Sequence, residues 1–158
     1  MLDVNNCFTY AYSAGTHADF TQAITADAAS TNVIDLWGST TLVTGETDMA
    51  IVGAQGPYLI VKAIVLSTTS VSINFQLVSS ISTTMSGASI VAQYRFLTAQ
   101  MTAGKVLVNQ QLPVGRYLRY LGMYFNVFTS DTTLEVVAWL SDTPEPAETV
   151  LGQVVPAS

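Results

Sequence analysis

The stretch that decides the fold is LPVGRYLRYLGMYFNVF, residues 112–128. It opens with a turn, because Pro113 fixes a negative φ and Gly115 tolerates backbone angles that other residues avoid. The aromatic and branched residues that follow favour a pleated strand, and at a period of two both faces are largely apolar, which predicts a central strand covered on both sides. Gly122, within the run, predicts a bulge or the close approach of another backbone. One face carries Leu118, Tyr120, Tyr124 and Phe128, and the other carries Arg119, Leu121, Met123, Phe125 and Val127.

Other segments also have the character of strands. Residues 58–66 are almost continuously apolar and predict a buried strand, and residues 71–77 alternate strictly between apolar and polar. Because only a short polar turn separates these two segments, they predict a hairpin. Further strands are expected over 7–12, 30–38, 105–112 and 134–140, with a short one over 41–44. Residues 20–29 and 88–97 fit both helix and strand, and extended structure is preferred for 20–29.

The last of these strands has two distinct faces. Its even-numbered residues from Leu134 to Leu140 are expected to face the core, and Val137 and Trp139 share the opposite face with Glu135. The total is about eight strands without a clear helix. This pattern predicts an all-β domain, namely a sandwich, a jelly roll or a barrel.

The chain shows no internal repeat and no domain boundary, so residues 1–158 are expected to form a single domain. Residues 1–12 are expected to form an N-terminal strand or arm. Residues 141–158 hold three of the five prolines and several acidic residues, which predicts an extended C-terminal arm.

The composition is unusually poor in charge. Charged residues make up 10% of the chain, compared with about 25% in an average domain, which favours a surface covered by another protein over a solvated Ser/Thr-rich one. The net charge of −6 argues against nucleic-acid binding. Residues 49–130 contain no Asp or Glu, whereas they contain every basic residue: Lys62, Arg95, Lys105, Arg116 and Arg119. If this segregation survives folding, the protein has an acidic face and a mildly basic face.

The residues that usually carry chemistry do not form a recognisable site. His17 is the only histidine and has no zinc-ligand partners at the required spacing, so it is expected on the surface. Cys7 is the only cysteine and is expected to be buried and structural. Glu46 and Asp48 share a loop that could bind calcium, although solvated carboxylates are the more common case. We therefore predict no catalytic, metal or cofactor site, no enzyme activity, no signal peptide and no membrane segment.

Five residues are candidates for a protein–protein interface: Trp37, Arg116, Arg119, Val137 and Trp139. For both tryptophans the alternative is packing in the core or at a hairpin edge, which is preferred for Trp37, whereas Trp139 lies opposite the predicted core face. Arg116 and Arg119 could pair with acidic residues of a neighbouring subunit, or instead lie in solvent or form an internal ion pair.

Three strings carry a family resemblance: AASTNVIDL at 28–36, LPVGRYLR at 112–119 and AWLSD at 138–142. With them the chain resembles the capsid cement (decoration) proteins of short-tailed bacteriophages, and the STNVIDL part is the most specific. The resemblance implies a jelly-roll protein on the exterior of an icosahedral virion, made in the host cytoplasm. It also implies a homo-oligomer, dimer or trimer, that clamps neighbouring major capsid proteins without a cofactor, nucleic acid or membrane.

Two other functions remain open. A receptor- or carbohydrate-binding jelly roll needs exposed aromatic residues beside carboxylates, and Trp37 near Glu46 and Asp48 is the one candidate in the sequence. A jelly-roll enzyme of the cupin type needs several histidines for its metal, and the chain has one.

Overall fold

The computed structural model describes residues 6–10, 20–36, 49–51, 57–65, 72–97, 99, 101–112, 115–128 and 134–144. These residues form strands and turns and contain no α-helix. The strands are β1 (Gln22–Ile24), β2 (Ala28–Ala29), β3 (Ile34–Asp35), β4 (Met49–Ile51), β5 (Tyr58–Val65), β6 (Ser72–Ser80), β7 (Ser89–Leu97), β8 (Val106–Gln111), β9 (Gly115–Tyr117), β10 (Tyr120–Val127) and β11 (Leu134–Ser141).

The strands form two main sheets in which every pairing is antiparallel. The first sheet has the order β1-β11-β5-β8, and the second has the order β2-β10-β6-β7, with β3 also paired to β10. A separate ribbon pairs β4 with β9. If β2 and β3 are counted as one position, this is the strand order of an eight-stranded jelly roll. The prediction of an all-β sandwich is therefore confirmed.

The core lies between the two sheets and is rich in aromatic side chains. The ring of Phe75 contacts those of Phe96 and Phe125 edge to face, with centroid distances of 5.8 and 5.9 Å. Leu121 and Met123 are fully buried beside Phe125, so the odd-numbered face of β10 is the core face. In β11 the residues predicted to face the core do so: Leu134, Val136 and Ala138 are fully buried, and Leu140 packs against the same cluster.

The predicted hairpin between residues 58–66 and 71–77 is wrong. Both segments are strands, but β5 pairs with β11 and β8 in the first sheet, whereas β6 pairs with β10 and β7 in the second. The two consecutive strands β5 and β6 therefore belong to different sheets. A short connection predicts that two strands lie close together, but it does not tell whether they pair in one sheet or belong to opposite sheets.

Residues 112–128 form two strands instead of one continuous strand, because the chain breaks between β9 and β10 at Leu118 and Arg119. The central position is confirmed, since β10 lies between β6 and the short strands β2 and β3. Gly122 marks neither a bulge nor a neighbouring backbone. Its pairing with Val78 is regular, and a Cβ at this position would lie 2.7 Å from the terminal methyl of Met85. The close approach is made by a side chain.

The remaining ambiguous segments are extended. Residues 20–29 contain β1 and β2, and residues 88–97 contain β7. In the described part of 30–38, which ends at residue 36, the strand comprises Ile34–Asp35, and within 7–12 the described part contributes one bridge, from Cys7 to Trp139. The short strand expected over 41–44 lies outside the described residues.

Candidate protein-binding surface

The chain itself covers part of the outer face of the first sheet. A second hydrophobic cluster lies on this face and consists of Cys7, Ile60, Val106, Val137 and Trp139, with Tyr10, Phe20 and Tyr58 packed against it. Val137 is 5% exposed and Trp139 is 7% exposed. These two candidate interface residues therefore lie beneath the protein's own N-terminal segment, which leaves little of either side chain for contact with another protein.

Hydrogen bonds anchor residues 6–10 to β11 and to the segment that follows β2. The N–H of Phe8 donates to the carbonyl of Ala138 at 2.8 Å, and the carbonyl of Phe8 accepts from the N–H of Asn32 at 2.8 Å. The buried hydroxyl of Thr9 accepts from the N–H of Ala138 at 3.1 Å and donates to the carbonyl of Phe20 at 2.6 Å. Each bond satisfies a buried polar group, so this segment is an integral layer of the domain.

The STNVIDL string has a structural role in this arrangement. Ser30 Oγ accepts from the N–H of Met123 at 3.0 Å and donates to the carbonyl of Asn32 at 2.7 Å. Asn32 Nδ2 donates to the carbonyl of Cys7 at 2.8 Å. The string therefore ties β10 of the second sheet to the N-terminal segment on the first. Sequence reasoning singled it out as a family signature but gave no indication of this role.

Cys7 lies within the N-terminal segment that packs on the first sheet, and the expectation of a buried thiol is confirmed. Its Sγ lies 3.5 Å from the carbonyl oxygen of Ala138 and 3.6 Å from the hydroxyl of Thr9. Burial raises the pKa of the Cys7 thiol above its usual value, because the thiolate would lose its hydration. This environment suppresses thiolate chemistry.

Arg119 forms an internal ion pair, which was one of the alternatives open for this candidate. Its Nη2 lies 2.8 Å from Asp35 Oδ2 and its Nε donates to Asp35 Oδ1 at 3.1 Å, so the contact is bidentate and joins β3 to the start of β10. The hydrogen bond from Arg119 to Asp35 raises the pKa of the guanidinium. The guanidinium carbon also lies 4.9 Å from the ring centroid of Tyr120. Both side chains stay partly exposed, at 41% for Arg119 and 33% for Asp35.

The other candidates are less fully described. Arg116 lies in β9, where it pairs with Ala50 of β4. Trp37, the histidine His17 and the acidic loop of Glu46 and Asp48 lie outside the described residues, as do 1–5, 11–12 and 145–158 of the two expected arms. Among the described residues, no three His, Cys, Asp or Glu side chains could hold a metal ion together. Within the same ranges, no helix has the length and apolar character needed to cross a membrane.

The outer face of the second sheet, in contrast, has large exposed apolar side chains at both ends. At one end Ser72, Arg95, Leu97 and Phe128 form a group that we call the Phe128 corner. Leu97 is 44% exposed and Phe128 is 51% exposed. The Nε of Arg95 donates to Ser72 Oγ at 2.8 Å, and its guanidinium carbon lies 4.9 Å from the Phe128 centroid. A partly exposed aromatic ring beside an arginine is typical of residues that dominate protein interfaces.

At the opposite end of the second sheet, Ile90 of β7 is 57% exposed and Ile81, directly after β6, is 76% exposed. These two residues, the Ile81 corner, flank the loop that joins β6 to β7. The loop is held by internal hydrogen bonds, including one from Ser80 Oγ to the carbonyl of Ser86 at 3.2 Å. Within it Met85 has a φ of 56°, and its side chain lies over Gly122.

Polar amides lie between the two corners. Gln76 Nε2 donates to Gln93 Oε1 at 3.0 Å, and the neighbouring row pairs Asn126 with Asn74 and Asn74 with Arg95. Asn74 is 6% exposed, and its Oδ1 accepts no hydrogen bond from the described residues. Sequence reasoning missed this face, because the period-two pattern placed Phe128 on a side that was expected to be covered.

Comparison with known protein families identifies a match that spans both sheets. The model of the family Bbp16 matches residues 18–138, which is more than half of the chain. The chain therefore belongs to the Bbp16 family. The matched range includes β1 to β10 and part of β11, so the resemblance to the family extends over both sheets of the jelly roll. No curated protein matches the chain.

Proposed function

We propose that the protein is a structural virion protein that binds the outer surface of an icosahedral phage capsid and stabilises it by bridging neighbouring major capsid proteins. The resemblance of three sequence strings to those of capsid cement proteins supports this function, and the family name suggests a phage-related family. The jelly-roll strand order agrees with the fold that the resemblance implies. In this proposal the protein is not an enzyme and acts as a homo-oligomer.

The observation that carries the proposal is the contrast between the two outer faces. The chain covers the part of its first sheet around Val137 and Trp139 with its own N-terminal segment and leaves Ile64 and Val65 partly exposed at one end of β5, whereas the second sheet has more exposed apolar side chains at both corners. Ile90 and Leu97 are seven residues apart on one strand, so the corners lie about 23 Å apart. A surface with two such contact points can bind two neighbouring subunits of a shell at once.

The exposed side chains set the scale of the stabilisation. Full burial of a large apolar side chain contributes roughly 1.5–3 kcal/mol, and these four side chains are already between about one quarter (Ile81) and just over one half (Leu97) buried. Four of them would therefore contribute roughly 4 kcal/mol for each copy bound, before the costs of association. Many copies on one shell would multiply this modest contact.

The test compares one leucine and one valine that are almost equally exposed but lie on opposite sheets. Leu97 in the second sheet is 44% exposed and Val65 in the first sheet is 43% exposed. We expect Leu97→Asp and Phe128→Asp to abolish co-sedimentation with capsids that lack the protein, and Val65→Asp to bind as the wild type does. Wild type and Val65→Asp should also raise the temperature at which these capsids release DNA.

Two outcomes would contradict the proposal. One is that Val65→Asp loses as much binding as Leu97→Asp, since the second sheet would then have no special role. The other is that capsids without the protein resist heat and internal DNA pressure as well as complete particles. Circular dichroism of each variant shows whether the domain is folded.

A receptor- or carbohydrate-binding module is the second candidate, and the row of amides supports it. Planar amides such as Gln76 and Gln93 can donate to and accept from sugar hydroxyls at the same time. Binding of the isolated protein to a glycan array, lost in Gln93→Ala while capsid binding is kept, would favour this function.

A further inference from the structure

The strand β7 forms an open edge of the second sheet. It pairs with β6 on one side and, within the part of the chain that the structure describes, with no strand on the other. It is nine residues long and contains no proline, lysine or acidic residue. Its one irregularity is a register shift at Val91. An edge with so few protective features is a template for pairing with another strand.

The charge at this edge indicates what kind of strand it would accept. Arg95 is the only charged residue of β7, and none of the described carboxylates forms an ion pair with it. The adjacent β6 and the central β10 contain no acidic residue. A second copy of β7 would bring another Arg95 without a carboxylate, so pairing between two β7 strands is disfavoured. An extended strand with a carboxylate would be complementary.

The chain itself contains such a segment near its C-terminus. The prolines at 144, 146 and 156 leave residues 147–155, AETVLGQVV, free of proline. This segment has nine residues, as β7 has, and five of them are Val, Thr or Leu, of which Val and Thr favour strands. Its single charge is Glu148.

The topology indicates that a different copy supplies the segment. Six residues connect β10 to β11, so β11 ends on the side of the sandwich where β10 begins. Tyr120, at the start of β10, pairs with Ser80, and β7 begins beside Ser79 on the same side. A tail that leaves β11 and follows β7 of its own chain would run parallel to it. All described pairings are antiparallel.

We propose that residues 147–155 of one copy add as an antiparallel strand to β7 of a neighbouring copy, with Glu148 opposite Arg95. In this register Gly152 lies beside the bulged Val91, where a residue without a side chain is easily accommodated. The contact joins copies head to tail. It does not require binding to a capsid, so failure of the proposed function leaves it standing.

The test measures self-association of the full-length protein by sedimentation equilibrium. Arg95→Glu and Glu148→Arg should each weaken association by about fivefold or more, because each variant replaces an attraction by a repulsion. The double variant, which exchanges the two charges, should restore most of the wild-type affinity. Lys62→Glu, on the first sheet, and Glu145→Arg, outside the paired segment, are the matched controls and should associate as the wild type does.

Two variants test the strand itself. Val150→Pro and Val154→Pro leave every charge in place but prevent regular pairing, so they should weaken association as strongly as the charge reversals. A wild-type monomer at all accessible concentrations would overturn the proposal. Association that depends on Arg95 but not on residues 147–155 would also overturn it, and would indicate direct pairing between β7 strands.

Discussion

The contact between Met85 and Gly122 gives the sharpest stability prediction. Gly122 lies in the middle of β10, and the loop between β6 and β7 places the Met85 side chain directly over it. A Cβ built at Gly122 would lie 2.7 Å from Met85 Cε, 3.1 Å from Sδ and 3.2 Å from Cγ. We therefore expect Gly122→Ala to destabilise the protein, although alanine usually stabilises a strand relative to glycine.

The magnitude follows from two opposing effects. Carbon atoms pack at about 3.5–4.0 Å, so Met85 has to withdraw by about 1 Å or adopt another rotamer. Overpacking of this kind lowers the free energy of unfolding by about 1–3 kcal/mol. Replacing glycine by alanine also reduces the conformational entropy of the unfolded chain, which raises the free energy of unfolding by about 0.4–1 kcal/mol. The net loss should be about 1 kcal/mol. In a Met85→Ala background the steric cost disappears, and Gly122→Ala should stabilise by about 0.5 kcal/mol.

The assay is a double-mutant cycle measured by urea unfolding, with the slope of the transition checked for constancy. Gly104→Ala is the control, because Gly104 has a φ of +79° and no atom within 4 Å of its Cβ position. That variant should lose about 1–2 kcal/mol through backbone strain alone, and its effect should add to that of Met85→Ala. If Gly122→Ala has the same effect with and without Met85, the reasoning is refuted.

Three further predictions concern residues 6–10, which pack on the first sheet, and the ion pair between Asp35 and Arg119. Thr9→Val removes a buried hydroxyl, so the N–H of Ala138 loses its acceptor and the carbonyl of Phe20 keeps only the 4.0 Å contact from Cys7 Sγ. The free energy of unfolding should therefore fall by about 2–4 kcal/mol, whereas Thr83→Val, at an exposed position, should have little effect. Burial raises the pKa of the Cys7 thiol, so the folded protein holds this proton more tightly than the unfolded chain. The free energy of unfolding should therefore fall as pH rises above the usual thiol pKa of 9.0. Cys7→Ala should show a smaller fall in the free energy of unfolding over the same pH range. An equal pH dependence in both proteins would contradict this assignment. Asp35→Asn should lower the midpoint of urea unfolding, because it removes the ion pair with Arg119. The decrease should be smaller in molar salt, because the pair is partly exposed and salt screens it. An equal decrease with and without salt would mean that the ion pair is not responsible.

The sequence located most long strands correctly because they are made of branched and aromatic residues at a period of two. The same pattern identified the core face of β10 and the core face of β11. It could not show which strands pair, since pairing in a jelly roll depends on the sheet that each strand joins. The false hairpin between β5 and β6 is the direct result, because a short turn is compatible with both a hairpin and a crossing between sheets.

The candidate interface was harder to predict, for a related reason. The period-two pattern showed that Trp139 lies opposite the core, but it could not show that residues 6–10, distant in sequence, cover that face. It also placed Phe128 on a face expected to be covered, where the structure leaves it half exposed. Which segment of the chain covers the outer face of a sheet depends on the tertiary fold and not on the local pattern of one strand. The hydrogen bonds of Asn32 and Thr9 anchor that segment, and neither residue has a periodic signal.

The distribution of carboxylates explains why the second sheet is the face on which binding to another protein would be least costly. Burial of an unpaired charge is expensive, but β6, β7 and β10 contain no acidic residue. The two described carboxylates at the border of this face both have partners: Asp27 accepts from the N–H of Val127 at 2.6 Å, and Asp35 pairs with Arg119. A protein that covers this face therefore buries amides, tyrosines and apolar side chains, and the exposed Arg95 is the described charge that it has to match.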